Sequence, residues 1–175
     1  MVNICLCAGS VLLAREADNE ADLLQKMEHE QNPVKKSKYA TRLSQLKLKQ
    51  AEEAYGKDDY EQGQKLLGEY LKWARNSWDL LRGSGRPAEK KPAGFRELDI
   101  ALREDARRFA DLEHRVPFTD RDPVTQTARE AEKLRSEVLE ALFPGGKASD
   151  SKPAETKPEA PKVKLMSDGP GMQGV

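Results

Sequence analysis

The chain has 175 residues with 30 basic and 30 acidic side chains, a formal net charge of zero, and 34% charged residues. That balance argues against a protein that coats nucleic acid, which carries a basic excess, and the length fits one domain with tails. No run approaches the roughly 18–20 apolar residues needed to cross a bilayer. The two cysteines, Cys5 and Cys7, exclude a disulfide scaffold and a cysteine-rich zinc module.

Residues 4–14 (ICLCAGSVLLA) form an apolar run that matches the h-region of a secretory signal peptide in length. No Lys or Arg precedes it. Two readings of residues 1–14 therefore stand: a truncated signal peptide, implying an exported (periplasmic or extracellular) protein, or a short apolar arm on a cytoplasmic one. Cys5-x-Cys7 is read as part of this segment rather than as metal or redox chemistry. An acidic stretch, about residues 16–30, predicts a short first helix.

From there the punctuation divides residues 15–143 into an all-α, antiparallel bundle of four long helices. Asn32-Pro33 is a helix start, an N-cap residue before proline at the first helical position, and Gly56 ends that segment. Asp58-x-x-Glu61 resembles a capping box for the second helix, which stops at Gly83-Ser84-Gly85-Arg86-Pro87. A third runs from about Ala93 to Arg115, ended by Val116-Pro117, and a fourth from Asp122-Pro123 to Phe143-Pro144.

Apolar residues recur at helical spacing within these limits. The stripes are Tyr39, Leu43, Leu46 and Ala54; Tyr60, Leu67, Tyr70, Ala74, Trp78 and Leu81; Phe95, Leu98, Leu102, Phe109, Leu112 and Val116; and Val124, Ala128, Ala131, Leu134, Val138 and Leu142. A second set on the second helix, Leu66, Trp73, Ser77 and Leu80, widens its buried face. Both tryptophans and three of the four tyrosines fall between residues 55 and 78, which places that helix pair at the centre of the core. Residues 144–175, rich in Lys, Pro, Ala and Glu, lack the apolar surface to offset ordering and are expected to form a disordered tail.

Within the aromatic pair, Ala51-x-x-Ala54-Tyr55, Asp59-Tyr60-x-x-Gly63 and Leu67-x-x-Tyr70 resemble the helical hairpin of a tetratricopeptide repeat. The resemblance covers residues 51–82 alone, without a second copy at a period near 34, and assigns no family to the whole chain. It implies a closely packed helix pair and a protein-binding surface, and it carries over no binding residue.

Chemistry is not marked. A di-iron bundle requires two Glu-x-x-His pairs with two further glutamates, whereas Asp111-x-x-His114 is the single comparable pair here. His29 and His114 both sit among charged neighbours and read as solvated. The glycine-rich Gly83–Arg86 segment follows a helix and so lacks the strand-loop-helix setting of a phosphate loop. No catalytic, cofactor-binding or metal-ligating residue is assigned. The informative pattern is charge. Residues 31–50 contain six basic residues and no acid, and Lys35, Lys38, Arg42 and Lys49 form one stripe beside the apolar face. Together with Ile100, which lies opposite the main stripe of its helix, they are the candidate partner surface. The expectation is a non-enzymatic interaction or structural protein that presents a helix face to a protein partner. The alternatives are a basic amphipathic module for an anionic membrane or nucleic acid, and an enzyme whose site is unrecognised.

Overall fold

The computed structural model describes residues 20–145; the segment 1–14, read as a truncated signal peptide or apolar arm, and the tail beyond Gly145 lie outside them. All regular structure among the described residues is helical: α1 (20–29), α2 (Pro33–Tyr55), α3 (Tyr60–Gly83), α4 (Phe95–Arg115) and α5 (Asp122–Leu142), with a single 3-10 turn at Phe118–Asp120. The four long helices contain 23, 24, 21 and 21 residues.

Local chemistry sets their ends. The Asn32 side chain accepts from the Val34 N–H at 2.9 Å, ahead of Pro33 at the first helical position. At the α2–α3 turn the cap falls one residue later than expected. Asp58 takes the left-handed conformation (φ 60°) and receives the Tyr60 hydroxyl at 2.9 Å, so Asp59 caps α3, accepting from Gln62 N–H at 3.1 Å. α4 starts at Phe95 rather than Ala93 because Gly94, at φ 90°, turns the chain there and donates its N–H to the Glu97 carboxylate.

Neighbours in the chain pack antiparallel. Thr41 meets Ser77 and Lys47 meets Glu69 across α2–α3, and Asp99 meets Arg135 across α4–α5. The two hairpins then lie side by side with α2 parallel to α4, since Lys38 pairs with Glu97 and, further along both helices, Glu52 pairs with Arg108. The 84–94 connection therefore crosses the end of the bundle diagonally, and α3 and α5 are parallel neighbours, tied by Arg75 and Glu130.

The centre is filled across the α3–α4 diagonal. Tyr70 meets Phe109 edge-on with ring centres 5.3 Å apart, and Trp78 meets Phe95 at 6.1 Å. Of the two tryptophans only Trp78 is buried; Trp73 is half-buried beneath the Lys72 ammonium. α2 uses smaller residues than its sequence stripe suggests. Leu43 and Ala54 are buried, but Tyr39 and Leu46 are half-buried, and the inner face continues through Ala40, Leu48 and Ala51. Ser37, Thr41 and Ser77 are buried beside them: the Ser77 hydroxyl donates to the Ser37 carbonyl at 3.0 Å and shares a 2.8 Å hydrogen bond with Thr41. These short polar side chains let α2 and α3 approach closely while leaving each hydroxyl partnered. α1 lies antiparallel along α2, held by Glu20 on Lys47 at 2.7 Å and Glu30 near Lys35 at 3.8 Å.

Candidate functional site

The parallel pairing of α2 and α4 creates a shallow groove of about 320 Å³ on the outside of the bundle. Thr41 and Ala101, both nearly buried, lie low in it. Lys38, Arg42 and Gln45 line it from α2, and Glu97, Ile100 and Glu104 line it from α4. Ile100 is 51% exposed, a large aliphatic side chain left half in water on a helix whose other large apolar residues, Phe95, Leu98, Leu102, Phe109 and Leu112, are buried. One flank of the groove is basic and the other acidic.

The candidate surface residues are distributed as follows. Lys38, Arg42 and Ile100 are brought together in the groove. Lys38 bonds to Glu97 at 3.0 Å, and burial of Glu97, which raises its carboxyl pKa, is outweighed by Lys38 and the Gly94 N–H, so that carboxyl is held below its usual range. Lys35 lies one turn before Lys38 and leans toward Glu30, while Lys49 lies further down the same stripe and pairs with Glu53 at 3.7 Å. Both are exposed, outside the groove itself.

Three charged clusters inside the bundle escaped the sequence reading. Asp105 is 1% exposed, accepts the Tyr70 hydroxyl at 3.2 Å and faces the Arg108 guanidinium at 3.7 Å. Arg108 in turn grips Glu52 through two hydrogen bonds of 2.9 and 2.8 Å, joining α4 to α2. Burial pushes the Asp105 carboxyl up to about 6, against the opposing pull of Arg108 and the Tyr70 hydrogen bond. Asp99 is buried between Arg103 at 2.9 Å and Arg135 at 3.0 Å. Lys47, also buried, is clamped by Glu20 and Glu69; burial lowers its pKa, but the two carboxylates outweigh that and raise it. The signal was present as interruptions: Asp105 stands between Leu102 and Phe109 where the α4 stripe calls for an apolar residue, and Lys47 stands likewise between Leu43 and Ala51 on α2.

These clusters tie helices together. Tyr70 and Asp105 are sealed from solvent, so neither can meet a substrate in this packing. His29 and His114 are exposed, and among the described residues no group of three or more His, Cys, Asp or Glu is arranged to hold a metal. No described helix is long and apolar enough to cross a membrane. The chain matches no protein-family model, no curated protein and no solved structure.

Proposed function

We propose that this chain is a non-enzymatic helical interaction protein that offers the α2/α4 face to a protein partner. The observation that carries the reading is Ile100, half exposed in a groove with one basic and one acidic flank. An apolar anchor within a ring of charges is the pattern of a protein contact, where the centre supplies affinity and the charges supply orientation. The interior supports the same reading, because Lys47 with Glu69, Arg108 with Glu52 and Asp99 with Arg135 are engaged in bridging one helix to the next.

An anionic membrane or nucleic acid is favoured less. Glu97 and Glu104 flank the groove beside the basic stripe, and Lys38 is already bound to Glu97, so a polyanion would meet negative charge along its path.

A photo-cross-linking side chain placed at position 100, with a second chain carrying it at exposed Lys65 on α3, tests the proposal in cells. Discrete adducts from position 100 that are missing from position 65 are expected. Equal labelling from both positions, or none from 100, would refute the docking role.

A further inference from the structure

Resting on that docking surface, we infer that the partner is a second copy of this chain, joined through the α2/α4 face as a symmetric dimer whose two-fold axis runs parallel to the helices beside Ile100.

Lys35, Lys38, Arg42 and Lys49 recur at helical spacing along α2. Along α4, Glu97, Glu104 and Asp111 recur every seven residues and therefore share a stripe. Arg107, exposed and seven residues after Ile100, shares Ile100's position beside that stripe, so the α4 side carries one positive charge against three negative ones. Because α2 and α4 are parallel neighbours, the face carries a basic band and an acidic band side by side, with Ile100 in the groove where they meet.

Such a face is complementary to itself in one orientation only. A two-fold axis lying across the helices would set α2 on α2 and α4 on α4, opposing like charges. An axis along the helices sets α2 of each copy over α4 of the other at equal height, and brings Ile100 against its symmetry mate. Arg42 then lies within a turn of Glu104 on the other copy, twice over. Neither Arg42 nor Glu104 forms an ion pair with another described residue, so both are available for that exchange. Like-charge opposition disfavours the other arrangement and so selects the register.

Sedimentation velocity on the full chain between about 5 and 500 µM, the range suited to a small contact, provides the test. The wild type is expected to pass from monomer to dimer within that range. Ile100→Glu should sediment as a monomer throughout, with an unchanged circular-dichroism spectrum and melt. Arg42→Glu alone and Glu104→Arg alone should each weaken dimerisation by at least about tenfold. An equimolar mixture of those two variants should associate, because each copy then offers the charge that the other lacks. A wild type that stays monomeric overturns the dimer; if position 100 still cross-links a different protein, the docking surface survives with another occupant. A dimer that Ile100→Glu leaves intact, or variants that do not associate on mixing, also overturns it.

Discussion

Tyr70 donates its hydroxyl hydrogen to Asp105 Oδ2 at 3.2 Å, in the dry centre of the bundle and 35 positions away in the chain. The other carboxylate oxygen, Oδ1, has no hydrogen-bond partner and sees Arg108 only at 3.7 Å. A charge held this way destabilises the fold that contains it, because desolvation exceeds what a hydroxyl and a distant guanidinium return.

The pH dependence follows from that site. Asp105 titrates near 6 in the folded chain against an ordinary value of 3.8, so the folded state holds the proton more tightly. Stability therefore rises as pH falls through about 6 toward 4, and above 6 the cost of the charge is fully present. Glu97, whose pKa is lowered, acts in the opposite sense and withdraws its contribution below its ordinary 4.5. Urea unfolding should show a stability maximum near pH 5. Asp105→Asn, which retains an acceptor for Tyr70, should gain about 1–3 kcal/mol at pH 7.5 and flatten the curve between pH 5 and 7. An Asn variant less stable than the parent at pH 7.5 would show that Arg108 outweighs desolvation.

Two glycines of α3 should respond oppositely to alanine. A Cβ on Gly63 would lie 2.6 Å from the Tyr55 ring, which is itself buried and packed near Tyr60, whereas a Cβ on Gly68 would meet nothing within 4 Å. Gly63→Ala should lose about 1–3 kcal/mol through overpacking. Gly68→Ala should gain about 0.5–1 kcal/mol from helix propensity. Urea midpoints measured side by side decide it, and a neutral Gly63→Ala would mean that the hairpin can open without cost.

Lys47→Met retains the apolar stem but removes the cation shared by Glu20 and Glu69. The two carboxylates are 27% and 35% exposed, so they can rehydrate, and the global loss should stay near 1–2 kcal/mol. The local effect is larger. Amide exchange over residues 20–29 should accelerate by at least about tenfold while the centres of α3 and α4 keep their protection. Unchanged exchange in α1 would assign its anchoring to apolar contact instead.

Leu67 and Ile100 separate core from surface. Leu67 is 1% exposed, and Leu67→Asp or Trp78→Asp should abolish the cooperative thermal transition by burying an unpaired carboxylate. Ile100→Asp should leave the monomer's stability within about 0.5 kcal/mol of the parent. A Leu67→Asp melt matching the parent would contradict the packing of the α2–α3 hairpin.

The all-helical class, the four long rods and most of their ends are determined by the sequence itself, because caps, prolines and the 3.6-residue apolar period act within one or two turns. Asn32-Pro33, Asp122-Pro123 and the Phe95–Val116 stripe are all of this local kind. Only tertiary structure decided that α2 and α4 are parallel neighbours, that Lys38, Arg42 and Ile100 share one groove, and that Asp105 and Lys47 lie inside. Those outcomes depend on which faces meet across tens of residues, and the side chains that settle the matter, Tyr70 with Asp105 and Glu52 with Arg108, become neighbours only after the helices have packed.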